Sequence, residues 1–335
     1  MKLTLQQLNA AVDGVPRIIE EADGTFFLER FTEEQRSYQY DPESGFYGRT
    51  FSTPGGKLDF TTDSETLSVS LTRCVSKSSV LSCGIDVWQN GILTHHFQRE
   101  TADLPNTPDG RELGDWSETV ALLPGTKRVE LFFPRNARYA VREISLDDGS
   151  TFEPTVHRRR MIVFGDSITA ACSTVFPSLA YISLVSRAID ARTFNYAVGG
   201  EAYKARCVVP GTYPDADFLL VAYGTNGRRD PEKWRENMPA FFEALHKEFP
   251  DKPTFVILPI HRMGEEQPAA SLPLSEARAR IREACAKYAN ITVLNGEKYV
   301  PWDEAMYQDK VLHPNDLGMA HYARNLLADL KPLLK

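Results

Sequence analysis

An all-β sandwich followed by an α/β domain on a five-stranded parallel sheet is the fold class that the 335-residue sequence predicts, and three observations predict it. The first half carries short runs in which apolar and polar residues alternate, the period of half-buried strands. The second half carries near-continuous apolar runs separated by longer amphipathic segments, the pattern of strands crossed by helices and buried on both faces. Between the halves lies the polar stretch DGSTFEPTV, which places the boundary so that residues 1–155 form one domain and residues 156–335 the other.

In the first half, from Thr25 to about Asp148, the alternating runs are LSVSLTRC at 67–74, GIDVWQNG at 84–91, WSETVALL at 116–123 and VELFFP at 129–134. Asn90-Gly91, between IDVWQ and ILTHHF, is the residue pair that two-residue type I′ hairpins favour. No long helical pattern interrupts these runs, so the half reads as an antiparallel sandwich. In the second half the spacing predicts strands over 161–165, 193–198, 218–223, 254–260 and 291–294. Helices are predicted over 231–249 and 275–289, and a last helix follows DKVLHPNDLG. Neither half contains an internal repeat.

Composition narrows the function classes. A net charge of -7 disfavours binding to a phosphate backbone, which rests on Lys and Arg, and the short run Arg158-Arg159-Arg160 reads as a solvated stretch before a strand. No apolar run has the form of a signal peptide or a membrane span. Cys74, Cys83, Cys172, Cys207 and Cys285 are odd in number and irregularly spaced, without CxxC pairs, which argues against a disulfide framework or a zinc site. The expectation is a cytoplasmic protein with reduced thiols, no cofactor, no metal, no nucleic-acid partner and no membrane partner. Homo-oligomerisation stays open.

In doubly wound sheets ligands bind beyond the carboxyl ends of the strands. There the sequence places Gly165-Asp166-Ser167 after the first strand, Gly199-Gly200 after the second and Gly224-Thr225-Asn226 after the third, with His313 ahead of the last helix. Four such blocks in this order resemble the SGNH (GDSL) hydrolase family over most of residues 158–335. The absence of GxSxG, HExxH, P-loop and GxGxxG motifs fits no rival assignment. The resemblance implies a flavodoxin-like three-layer α/β/α domain behind a jelly-roll-like sandwich. It implies Ser167 as nucleophile, with its own N–H as one oxyanion donor, Gly200 as the second donor, the Asn226 amide as the third, and His313 as base. Each residue has a plainer reading: Ser167 as a helix cap, Gly200 as a turn residue interchangeable with Gly199, Asn226 as a turn bridge, and His313 as a residue before a helix capped by Asn315 or begun by Pro314.

Two departures from the family pattern stand out. The family places an aspartate three residues before the histidine; here that position is Lys310, and Asp309 stands four residues ahead. Either Asp309 still reaches His313 or the site is a Ser-His dyad. Gly227 stands where the family often has aspartate. Arg228, Arg229, His261 and Arg262 are candidates for the pocket lining, and Tyr203, Trp302 and Tyr307 for stacking on a sugar. The two-domain layout resembles bacterial carbohydrate esterases, so the expected activity is hydrolysis of O-acyl, chiefly O-acetyl, esters of small or oligosaccharide substrates. An acyltransferase, a lipid or thioester hydrolase with the same site, and a non-catalytic glycan-binding protein are the alternatives.

Overall fold

The computed structural model describes residues 1–76, 82–107, 110–264 and 271–334. These divide into two compact units. The first comprises Met1–Arg30, Phe51–His157 and Val175–Ser178; the second comprises Phe31–Thr50, Arg158–Thr174 and the chain from Leu179 onward.

Two antiparallel sheets, each of six strands among the described residues, build the first unit. One runs in the order Val12–Asp13, Lys57–Thr62, Lys127–Phe132, Ser82–Gln89, Ile92–Glu100, with Glu153–Pro154 also paired to Lys57–Thr62. The other runs Arg17–Glu20, Phe26–Glu29, Ala137–Leu146, Thr66–Ser76, Gly110–Ala121, Asn106–Thr107. They share one core: Leu58, Phe60, Ile85 and Val129 of the first sheet pack with Leu67, Val69, Leu71 and Trp116 of the second. Alternation explains the sidedness. On Thr66–Ser76 Leu67, Val69 and Leu71 turn inward, while the Ser68 and Ser70 hydroxyls bond across to Thr119 at 2.9 Å and Ser117 at 2.8 Å. Asn90 and Gly91 have φ of 49° and 82°, and Gln89 pairs with Ile92, so the hairpin turns as the Asn-Gly pair predicts.

The second unit is a three-layer α/β/α domain. Its strands are β1 (Arg159–Gly165), β2 (Ala191–Asn195), β3 (Phe218–Ala222), β4 (Thr254–Ile257) and β5 (Ile291–Leu294), all parallel in the order β2-β1-β3-β4-β5. Successive residues of β1 go to opposite faces. Ile162 and Phe164 join a core with helices α2 (Pro231–Glu248) and α3 (Leu274–Cys285), and Met161 and Val163 join one with α1 (Tyr181–Ile189) and α4 (Asp316–Leu330). That two-sided burial is why the strands read as unbroken apolar runs.

Several boundaries differ from the sequence reading. Residues 31–50, expected within a β domain spanning 1–155, form two short helices, Glu33–Gln39 and Gly45–Arg49, and belong to the second unit. Thr32 and Gln35 form a capping box that starts the first of these helices, and Phe31 and Tyr40 on either side of it enter the α2/α3 core. Residues 175–178 make the reverse excursion. The second strand begins at Ala191 and ends at Asn195, the fourth stops at Ile257 just before Pro259, and α3 ends at Cys285. Helix α1 has no counterpart in the sequence assignment.

Candidate active site

Order β2-β1-β3 reverses direction at β1, so the loops after β1 and β3 flank the switch point where doubly wound sheets bind ligands. The loop after β1 turns sharply: a Cβ on Gly165 would lie 2.3 Å from Thr169 Oγ1, so only glycine lets the loop fold back over the strand end. Asp166 Oδ1 accepts the Ile168 N–H at 3.0 Å and the Asp166 carbonyl accepts Ala170 N–H at 2.9 Å, bracketing Ser167 from both sides. Residues 167–172 form turns, and the next α-helix begins only at Tyr181. Ser167 is therefore no helix cap.

Its Oγ lies 2.8 Å from His313 Nε2. On the other side of the ring, His313 Nδ1 lies 2.7 Å from Asp309 Oδ2. The remaining oxygen of Asp309, Oδ1, accepts the N–H groups of Val311 at 3.0 Å, Leu312 at 2.8 Å and His313 at 3.0 Å. Partial burial pushes this carboxyl up, but the N–H of Leu312, the imidazole and the N–H groups of His313 and Val311 outweigh it and hold it at about 2. Lys310, which follows Asp309 in the loop, takes a left-handed φ of 57°, and the loop folds Asp309 back onto His313. The structure thus joins Asp309 to His313 across the imidazole.

Asn315 caps α4 by accepting Gly318 N–H at 3.0 Å, and Pro314 lies ahead of the cap rather than at the first helical position. The histidine loop is closed by Gln308 N–H to His313 O at 2.8 Å, and Ser173 Oγ donates to Pro314 O at 2.6 Å, tying the serine loop to the histidine loop. Nothing in the sequence pattern marked Ser173.

Gly199 abuts the serine: a Cβ built on it would stand 3.8 Å from Ser167 Cβ and 3.4 Å from Cys172 Sγ. Gly200 has φ of +83°, which favours glycine, and a Cβ there would meet the Arg49 guanidinium at 2.7 Å. The Asn226 amide gives one hydrogen to Glu201 O at 3.0 Å and keeps its second. Gly227 also has a positive φ, 77°, with Ala202 Cβ close to where its own Cβ would be, so an aspartate there would be strained.

The pocket candidates separate. Arg228 is buried and donates to the carbonyls of Thr225 and Leu272, which makes it a brace between loops, while Arg229 is exposed. Tyr203 and Tyr307 are buried in the cores and do not present a stacking face. Trp302 is 58% exposed and packs against His261 with ring centroids 4.5 Å apart, and nearby Met263 N–H donates to Val311 O, two residues before the histidine.

Residues 163–321 match the model of the GDSL-like Lipase/Acylhydrolase family. Among solved structures the chain is similar to a salicylyl-acyltransferase, SsfX3, from a tetracycline biosynthetic pathway. The identity is 20%, covering 96% of this chain and 94% of that one, with a TM-score of 0.78. It is similar to a GDSL-like lipase from Bacteroides ovatus at 17% identity, covering 100% and 96%, with a TM-score of 0.72. A family two carbohydrate esterase from Cellvibrio japonicus shares 15% identity, covering 98% and 96%, with a TM-score of 0.62. No curated protein matches the sequence. Together with the parallel five-stranded sheet, the matched segment shows that this chain carries a GDSL-like lipase/acylhydrolase domain of the SGNH type, the domain of an ester hydrolase.

Proposed function

We propose that the protein is a serine esterase that removes O-acyl groups, chiefly O-acetyl, from carbohydrate substrates in the cytoplasm. The observation that carries the reading is the hydrogen-bonded chain from Ser167 Oγ through His313 to Asp309. Ser167 Oγ forms a bond to the ester carbonyl carbon while its proton passes to His313 Nε2. Asp309, held ionised, orients the imidazole and stabilises its cation. The N–H groups of Ser167 and Gly200 and the free hydrogen of Asn226 receive the oxyanion. The carbon–oxygen bond to the sugar then breaks, and His313 returns the proton to the leaving alcohol. Water repeats the sequence on the acyl-enzyme, losing its proton to His313 as it forms the acid and frees Ser167.

Carbohydrate esterases among the structural neighbours support the substrate class, and exposed Trp302 beside His261 offers a face for a sugar ring. None of the five cysteines is in a disulfide, which fits a reducing compartment. A second reading, transfer of the acyl group to an acceptor alcohol, is favoured by the likeness to the salicylyl-acyltransferase over 96% of this chain.

The test is acetate release from p-nitrophenyl acetate and from acetylated oligosaccharides by the wild type and Ser167→Ala, with and without acceptor sugars. Turnover by the wild type that disappears in the variant is expected. Equal turnover by both sinks the assignment, and a product acylated on the added acceptor replaces hydrolysis with transfer.

A further inference from the structure

We propose that Arg49 is a positioning residue of the oxyanion hole, a role that rests on the reading of Ser167 as nucleophile. Arg49 and the glycine pair both lie within the second unit, although 150 residues of chain separate Arg49 from Gly199.

Val198–Glu201 is a β-turn. The Glu201 N–H donates to Val198 O at 3.0 Å, Gly200 has φ of +83°, and Gly199 does not have a positive φ. This is the type II pattern. Types I and II keep the same closing hydrogen bond and differ by a flip of the central peptide, here the one between Gly199 and Gly200. With glycine at both central positions no side chain resists that flip. The closing bond alone therefore does not decide which way the Gly200 N–H points.

Arg49 decides it. Its Nη1 donates to the Gly199 carbonyl. In a planar trans peptide the carbonyl and the N–H point in opposite directions, so fixing the Gly199 oxygen fixes the Gly200 N–H. The bond is charge-assisted, hence stronger than a neutral one, and it polarises the peptide in the sense that makes the N–H a better donor. Arg49 is itself held in place. It ends the short helix Gly45–Arg49, and its guanidinium lies 4.9 Å from the centroid of the Phe46 ring, against which Lys204 also packs at 5.1 Å. A flip would move the Gly199 oxygen away from the only group shown bonding it among the described residues. Arg49 acts through the peptide rather than on the reacting atoms.

The experiment compares full-length wild type, Arg49→Ala and Arg49→Lys in three measurements: steady-state kinetics on p-nitrophenyl acetate, the rate of Ser167 labelling by a fluorophosphonate whose phosphoryl oxygen seeks the same donors, and thermal unfolding. Loss of one oxyanion donor costs about 10² to 10³ in turnover, so loss of its alignment in Arg49→Ala is expected to lower kcat by about 10- to 100-fold, with KM within about 3-fold. Labelling should slow in parallel. Millimolar guanidinium should restore part of both, and Arg49→Lys should fall between. An unchanged kcat, or a loss confined to KM, overturns the proposal, the latter by making Arg49 a substrate contact. Should Arg49→Ala unfold, Arg49→Lys with a wild-type melting profile carries the same comparison. If the wild type is neither labelled at Ser167 nor active, the nucleophile assignment falls and takes this role with it; normal wild-type labelling with an indifferent Arg49 removes this role alone.

Discussion

Two aspartates of the site are shifted in opposite directions. Asp309 is held at about 2 because its N–H partners outweigh the cost of partial burial. Asp166, fully buried beside Ser167, is pushed up to about 7 by desolvation, which outweighs the Ile168 N–H that it accepts. A carboxyl whose folded pKa is raised above its unfolded value of 3.8 binds more protons in the native state between those two pH values. Its contribution to stability is whole below about pH 4 and is lost as pH rises toward 7, with a ceiling of about 4 kcal/mol at 1.36 kcal/mol per unit. Asn at this position keeps an oxygen for the Ile168 N–H and cannot ionise. The cavity of about 20 Å³ that Asp166 lines with Thr225 and Tyr322 has room for one water to serve the new amide. Urea denaturation at pH 5 and pH 8 is therefore expected to show Asp166→Asn gaining on the wild type as pH rises. A pH-independent difference between the two proteins would refute the buried, near-neutral carboxyl.

At the scale of elements, the histidine loop is where a single backbone conformation decides which carboxylate the imidazole meets. Lys310 at φ 57° lets Asp309 fold back onto His313, and a left-handed non-glycine residue costs about 1 to 2 kcal/mol. Glycine removes that strain but adds about 0.5 to 1 kcal/mol of unfolded-state freedom. Lys310→Gly should thus stabilise by up to about 1.5 kcal/mol in urea and leave kcat within about 2-fold, since Asp309 holds the loop through backbone N–H groups. A loss of stability would show that the lysine side chain carries contacts of its own. The same loop marks the limit of sequence reading. The four blocks and the five strands were legible because strand ends and apolar runs are local features, whereas the reach of Asp309 depends on one φ that no residue type at position 310 announces. The short helices at Leu5–Ala11 and Glu33–Gln39 are a different case. Each is too brief for periodicity to reveal, yet each opens with a Thr-x-x-Gln capping box, TLQQ and TEEQ, that was legible and passed unread.

For the whole molecule, one division between the two units falls at His157/Arg158, close to the sequence boundary at residue 155, while others fall where the sequence reading placed none. Residues 31–50 lie among the sandwich strands in sequence and within the α/β unit in space, an exchange that no compositional shift signals. Phe31 is fully buried against Tyr196 with ring centroids 5.2 Å apart, and Tyr40 shares the same core. Gln35 Nε2 reaches Thr212 Oγ1 at 2.9 Å, and Gln39 Nε2 reaches Cys207 O at 3.3 Å. Emptying the site of one buried aromatic costs about 3 to 5 kcal/mol, and a domain has only about 5 to 15 kcal/mol in all. A fragment of residues 156–335 loses both aromatics together with Arg49. It should therefore unfold without a cooperative transition and turn over no ester, and co-expression with residues 1–155 as a separate chain should restore both properties by returning the 31–50 segment. A fragment that melts cooperatively on its own and keeps wild-type kcat would show that the α/β unit closes without that segment, and that its burial there stabilises nothing the active site needs.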